Sequence, residues 1–595
     1  MSSTTTRPPA GGRPEQGPTP EDAGANRFGI APWVFFPALA IVLAFVVLTL
    51  AFTDTATQVF STIQSTIVGD VGWYYTLLIA SFVIFSLWVG IGRYGSIKLG
   101  KDDDEPEFRL PVWFAMLFAT GMGIGLVFWG VAEPLNHFAS PRPSVTGNEQ
   151  QLAEQAITQS YIHWGVHAWA IYVVAGLGIG YAVHRKGRPI SIRWALEPIL
   201  GDRVKGGLGH AIDVIAVVGT LFGVATSLGF GVSQIAAGFD FLGWFEANNT
   251  LLVVLVVVIT GIATVSVVSG LGKGIKILSN GNMVLAAVIL VAVLLAGPTL
   301  FLLRDFVQSI GNYLTNVLQL TFSTSAYQGQ AGEAWQAAWT TYYWGWWVSW
   351  APFVGVFIAR ISKGRTVREF VAGVLLVPTI VTFLWFSVLG GTALYQEVFG
   401  DGGYVGADGS VDTNTTLFTL LSGIPGGVIW VVAGIILITL FFVTSSDSGS
   451  LVVDMLTSGG DPNPPTWSRV LWAVLEGAVA IALLLAGAGT LSALQTASII
   501  TALPFSLVMI GIMLSLARAF KGELEVRQRV QRQMERREMA QEASEHVFGQ
   551  LEEYSLDQHA ANGNGSSNGN GNGAANGRRD GGVKVLRRRR REASK

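Results

Sequence analysis

Cysteine is absent from the 595-residue chain, which excludes a disulfide framework, a thiolate metal site and a cysteine nucleophile. Charge is scarce too: Asp, Glu, Lys and Arg make up 13% of the residues against 50% hydrophobic, and the mean hydropathy is +0.47. A soluble globular domain does not need that much apolar sequence, so the chain reads as a polytopic membrane protein. The net charge of −2 says little about partners, because the charges gather in loops and tails. No nucleic acid partner is expected. Also missing are a P-loop, a hydrolytic triad, a selectivity-filter motif and repeated charge rings, which argues against a nucleotide hydrolase or a channel. An enzyme embedded in the membrane would need a polar catalytic pair at depth, and His163 and His167 are the only candidates. They read more simply as hydrogen-bonded structural groups.

A membrane-spanning helix needs about 20 predominantly apolar residues. Twelve such stretches are present, near 30–52, 72–92, 110–131, 157–182, 209–236, 250–269, 277–301, 335–360, 368–393, 427–446, 468–487 and 493–517. All are expected to be helices, since a bilayer demands that every backbone polar group be satisfied internally. Residues 1–28 are rich in Pro, Gly, Ser and Thr and are expected to form a disordered tail. They lack the layout of a signal peptide, so the first span is expected to persist in the mature protein. Lys and Arg cluster in alternate loops, with Arg93, Lys98 and Lys101 after the second span and Arg185 to Lys205 after the fourth. Both termini are therefore expected in the cytoplasm. The stretch near 447–467 fits that pattern poorly, carrying Asp447, Asp454 and Asp461 and no base. Beyond the last span, Arg518 to Tyr554 reads as a charged helix with Val526, Val530 and Met534 at i, i+4 spacing. A Gly/Asn linker and the basic cluster Arg587–Arg591 follow, the latter read first as a solvated charged tail or topology anchor and alternatively as a binder of the anionic cytoplasmic leaflet.

Four interior motifs carry chemistry. Gly121, Gly123 and Gly125 punctuate the third span, where glycine costs helix stability and exposes backbone. Close helix packing and an unwound ligand-binding segment are equally good readings of that motif alone. The eighth span holds Trp346, Trp347 and Trp350 within an arc of about 100°, followed by Pro352, which is expected to interrupt the helix. Two interrupted spans five apart enter the membrane from opposite sides, the pattern of an inverted repeat with a site at the midplane. The fourth span adds Trp164, Trp169 and Tyr172 on one side of its helix. Tryptophan in a membrane protein commonly marks the interface. Two clustered mid-span sets point instead to an aromatic cage for a quaternary ammonium group, through cation–π attraction of about 0.5–2 kcal/mol per ring. In the tenth span, Thr444, Ser445, Ser446 and Ser448 surround Asp447, a density of hard oxygens suited to an alkali cation, although such hydroxyls often bond back to their own helix.

The segments GMGIG (121–125) with the following WGVAEP, HWGVHAWAIY (163–172), YYWGWWVSWAPFVGVFIARISKGRTVREF (342–370) and LFFVTSSDSGS (440–450) resemble the betaine/carnitine/choline transporter family. The sodium-coupled glycine betaine symporters are the most similar members. The resemblance covers roughly residues 70–520 and implies a LeuT-like core of two inverted five-helix repeats preceded by two extra helices, commonly assembled as a homotrimer in the inner membrane. On that basis the chain divides into a disordered cytoplasmic tail (1–28), two additional helices (29–108), a first repeat (109–304), an extracellular connecting segment (305–334), a second repeat (335–518), and a cytoplasmic helix with linker and basic tail (519–595). The family's trimethylammonium cage maps to Trp164, Trp169, Tyr172 and Trp347, with Trp346 and Trp350 along the same pathway. Gly121, Met122, Gly123 and Gly125 would face the substrate carboxylate. Choline-transporting members tend to carry Asp where Gly125 stands, so Gly125 favours betaine. One sodium site maps to Ala119, Met122, Phe441, Thr444 and Ser445. The other maps to Thr220, Val224 and Phe353, and there Val224 replaces a threonine of sodium-coupled relatives with an isopropyl group that cannot ligate an ion. The implied function is sodium-driven import of a compatible solute under osmotic stress, with sodium-independent carnitine/betaine exchange or choline transport as alternatives and no enzymatic activity.

Overall fold

The computed structural model describes residues 29–563 apart from 122, 269–271 and 488–491. Among these residues every regular element is a helix, accompanied by the isolated bridges Lys98–Thr366 and Val405–Val411. In chain order they are α1 (Pro32–Ala51), α2 (Thr53–Ile91), α3 (Leu110–Gly121), α4 (Ile124–Ala139), α5 (Glu149–Trp164), α6 (Val166–Gly180), α7 (Glu197–Leu200), α8 (Gly207–Phe241), α9 (Asn249–Val268), α10 (Gly272–Ala296) and α11 (Thr299–Thr321). There follow α12 (Gly329–Gln336), α13 (Tyr342–Ile361), α14 (Val367–Phe399), α15 (Thr416–Ser422), α16 (Gly427–Thr457), α17 (Thr466–Ala486) and α18 (Ser492–Gly563). Contacts divide the chain into Met1–Glu523 and Leu524–Lys595. In the second unit the described helix leaves Val526, Val530 and Met534 exposed. Arg587–Arg591 lie outside the described residues.

Ten helices among the described residues have the length and composition to cross a membrane. The two expected spans not among them are those that carry the glycine and tryptophan motifs, each for a physical reason. The 110–131 stretch is split into α3 of 12 residues and α4 of 16, at about 1.5 Å rise per residue, and neither spans a bilayer alone. In α13 the Trp and Tyr side chains lower the apolar character of a 20-residue helix that is nonetheless almost wholly buried.

Burial separates centre from periphery. In the α5–α6 stretch 89% of the apolar window is buried inside the protein and in α8 78%, against 28% for α9 and 22% for α10. The α13 helix packs against α6 and α8, α14 against α4 and α6, and α16 against α8. Helix starts are fixed locally where the sequence supplies a capping box. Asn148 with Gln151 opens α5 and Thr366 with Glu369 opens α14, each satisfying amides that would otherwise be orphaned.

Three sequence expectations are corrected. Pro352 does not break α13, which runs unbroken from Tyr342 to Ile361; the irregularity precedes it, as a wide π-type turn over Ala337–Thr341. The 447–467 stretch is mostly not a loop, because α16 continues to Thr457 and buries both Asp447 and Asp454. Its misfit with the charge pattern of loops thereby disappears. Residues 53–71 are likewise helical, forming the first half of α2.

Asp213, in the second turn of α8, is fully buried and gathers the 188–196 segment. It accepts from the Ser191 hydroxyl (2.6 Å), the Arg193 amide (3.0 Å) and Arg193 Nε (2.5 Å). Removing one partner of such a pair leaves a buried charge uncompensated, at a cost of about 3–5 kcal/mol. Asp213→Ala is therefore expected to lower the thermal unfolding midpoint of the detergent-solubilised protein markedly. A midpoint equal to wild type would show that the segment is held by other means.

Candidate functional site

The site begins at a helix break that the sequence reading treated as continuous. Gly165 leaves helical geometry (φ −91°, ψ −140°) between α5 and α6, which frees carbonyls at the end of α5. Two of them are taken up across the interface: the Trp347 indole N–H donates to the His163 carbonyl (2.9 Å) and the Thr382 hydroxyl to that of Trp164 (3.3 Å). The break thus ties α5 to α13 and α14. It also turns the aromatic side chains on either side of it toward one space.

Trp164, Trp169, Tyr172, Trp347 and Trp350 line that space, with Ala168, Val354 and Thr382 completing the wall. The rings meet nearly at right angles: Trp164 and Trp347 at 4.8 Å and 73°, Tyr172 and Trp347 at 6.4 Å and 76°, Trp169 and Tyr172 at 5.4 Å and 75°. Crossed rings form a box rather than a stack, presenting faces and edges to the same volume. The space is narrow in this conformation, and the rings crowd one another around it. No charged residue lines it. Such a cavity can hold a bulky, weakly hydrated cation by ring quadrupoles, with no carboxylate to demand a net positive ligand.

Trp346 stands behind this wall, stacked on Trp347 at 4.7 Å and 16°. Its ring fills the space beside Gly125, where a Cβ would collide with it, while a Cβ at Gly123 would lie 3.5 Å from the Trp350 ring. The glycine segment is therefore a backbone surface against which two indoles close. It includes the break between α3 and α4: Gly121 ends α3 and Gly123 is extended (φ −136°, ψ −175°) at the start of α4. Met122 lies outside the described residues, and Ala119 stands two residues before the end of α3.

The remaining predicted ion ligands are placed less tightly. The Thr444 hydroxyl donates to the carbonyl of Leu440 (2.9 Å) in its own helix and accepts from the Asn282 amide (3.1 Å). Phe441 is buried and Ser445 half-buried on the same helix. At the second position the Thr220 hydroxyl is buried with no hydrogen-bond partner among the described residues, and Phe353 packs its ring on Trp350 at 5.4 Å. Val224 is fully buried, and its methyl groups lie about 3.0 Å from where a Cβ on Gly449 would stand.

Glu133, in the interior of α4, is fully buried at the centre of a network. Its Oε2 accepts from the Trp164 indole (2.6 Å) and the Tyr343 hydroxyl (2.5 Å). Its Oε1 lies 2.7 Å from His163 Nδ1 and 3.2 Å from His137 Nε2. His163 Nε2 in turn meets Gln159 and Thr340, both at 3.1 Å, and His167 meets Thr321 at 2.7 Å. The histidines are thus hydrogen-bonded, as expected, but around a carboxylate that the sequence reading did not connect to them. A signal was present: Glu133 and His137 are i, i+4 on one helix face within a segment otherwise almost wholly apolar.

The chain matches the family model described as BCCT, betaine/carnitine/choline family transporter, over residues 33–525. It belongs to that transporter family and is a multi-pass membrane protein, not an enzyme. Among its relatives, an uncharacterized transporter of Mycobacterium tuberculosis is 52% identical over 499 residues, 83% of each chain. The glycine betaine transporter OpuD of Bacillus subtilis is 44% identical over 82% of this chain and 94% of its own length. Glycine betaine transporter 1 of Vibrio parahaemolyticus is 42% identical over 77% of this chain and 87% of its own.

Gly125→Ala places a methyl group where the Trp346 ring stands, and overpacking of this kind costs about 1–3 kcal/mol. The variant is expected to unfold at lower temperature and to show shifted tryptophan emission. Wild-type stability with an unchanged spectrum would show that the indole yields freely.

Proposed function

We propose that this chain imports glycine betaine, or a similar trimethylammonium compatible solute, by sodium symport with alternating access. The observation that carries the reading is a box of crossed aromatic rings without a charged residue, beside a helix break. The trimethylammonium group sits among Trp164, Trp169, Tyr172 and Trp347, where each ring face contributes about 0.5–2 kcal/mol. The carboxylate is met by amides around Gly121, Met122, Gly123 and Gly125, where the N-terminus of α4 favours negative charge. A box with no carboxylate suits a zwitterion better than a net cation, which ranks betaine above choline. The names of the relatives in Bacillus and Vibrio point the same way.

Twelve spans, the inverted five-helix repeats of a LeuT-like core, a homotrimer and an inner-membrane location with cytoplasmic termini belong to the same proposal. Rocking of one repeat against the other would expose the box alternately to each side. Sodium would bind through Ala119, Met122, Phe441, Thr444 and Ser445. At the second position, Thr220 and Phe353, the apolar Val224 leaves Thr220 as the single side-chain oxygen, which favours coupling through the first site alone. Sodium-independent carnitine/betaine exchange is the second reading, and Val224 is the observation that favours it.

Uptake of labelled glycine betaine into proteoliposomes decides between them. An inward sodium gradient is expected to drive accumulation with a hyperbolic dependence on sodium concentration. A sigmoidal dependence would restore a second ion, and sodium-indifferent uptake would contradict the coupling. Trp347→Ala is expected to weaken betaine affinity by roughly 2- to 30-fold, the ratio that the loss of one cation–π partner implies. Unchanged affinity would remove Trp347 from the site.

A further inference from the structure

The cluster below the box has a second use that transport of a zwitterion does not require. Glu133 and His137 lie one turn apart on α4, and His163 is the penultimate residue of α5. All three are buried, and one ligand atom from each lies within 4.8 Å of the other two. We propose that Glu133, His137 and His163 form a binding site for a zinc-like transition-metal ion, and that an ion held there slows transport.

The chemistry of the set is selective. Two imidazoles and one carboxylate suit zinc and its neighbours rather than magnesium or calcium, which take oxygen ligands. Tetrahedral zinc at about 2.0–2.1 Å from each ligand places ligand atoms about 3.3 Å apart. The separation between Glu133 Oε1 and His137 Nε2 is already 3.2 Å, that to His163 Nδ1 is 2.7 Å, and all three ligand atoms lie within 4.8 Å of one another, so the imidazoles must adjust to admit an ion. Supporting groups are in place. Trp164 and Tyr343 hold the other carboxylate oxygen, and Gln159 and Thr340 engage the far nitrogen of His163. Groups of this kind orient metal ligands and sharpen affinity. The fourth position would be left to water.

A second cavity, with a lining distinct from that of the aromatic box, adjoins the cluster. His137 lines it with Gln155, Gln159, Arg142 and Trp335, and His137 Nδ1 is buried with no hydrogen-bond partner among the described residues. Water in that cavity would complete the outer shell of the His137 imidazole. The Arg142 guanidinium, which donates to Ser323 (2.8 Å), shares the cavity and opposes a cation, so the site is expected to take up metal reversibly. An ion bound here would brace α4 against α5 and fix the carboxylate that holds Trp164. The slowing of transport, unlike the metal site, rests on the proposed function above.

The test uses the full-length protein, stripped with a chelator and titrated with Co²⁺. One equivalent is expected to give the intense visible bands of a four-coordinate ion, bleached by Zn²⁺. His137→Gln and His163→Gln are each expected to weaken binding at least ~10-fold, whereas His546→Gln, at a histidine in the second unit, leaves it unchanged. Absence of the bands, or their persistence in both cluster variants, overturns the site. Zinc is further expected to inhibit betaine uptake in proteoliposomes, reversibly on chelation and not in His137→Gln. Cobalt bands without zinc inhibition would overturn the brake while leaving the site standing.

Discussion

The hydrogen bond from the Trp164 indole to the Glu133 carboxylate, at 2.6 Å, is the contact on which the site depends. A carboxylate with no exposure to solvent is costly unless its oxygens are satisfied. Here satisfaction comes from side chains on three helices: Trp164 and His163 on α5, Tyr343 on α13 and His137 on α4. The polar requirement of one residue therefore fixes the aromatic wall of the adjoining cavity. The wall in turn is apolar on its inner face and carries no charge of its own.

Helix breaks work with that contact. At Gly165 the backbone gives up helical hydrogen bonds, and the freed carbonyls find the Trp347 indole and the Thr382 hydroxyl. At Gly123 the backbone is extended again, with the Trp350 ring 3.5 Å from where a Cβ would stand. Interruption of a membrane helix is tolerable only where the released groups are buried in protein or line a cavity. The interruption at Gly165 meets that condition, its freed carbonyls being taken up by Trp347 and Thr382.

Much of this was legible in the sequence, because membrane burial leaves a strong compositional trace. Apolar runs located the helices, and the mid-span positions of Trp164, Trp169, Tyr172, Trp347 and Trp350 marked residues that do converge. What was not legible depends on geometry between segments. Pro352 reads as a break, yet α13 continues through it, while Gly165, one of 72 glycines, is the position where the backbone turns. Trp346 shares a helix face with Trp347 but stacks behind it, since the space beside Gly125 accepts its ring. Glu133 did not stand out in the sequence, because its partners lie mostly on other segments of the chain. Only the fold brings the Trp, Tyr and His donors to it.

In the proposed function, crossed aromatic rings hold a cation without a counter-charge. Binding of glycine betaine to the purified protein, compared with binding of its carbon isostere 3,3-dimethylbutanoate, tests it most directly. The two have nearly the same shape and share the carboxylate, but only betaine offers a positive charge to the rings. The account predicts at least ~10-fold tighter binding of betaine, equivalent to about 1.4 kcal/mol. Equal affinities would contradict it.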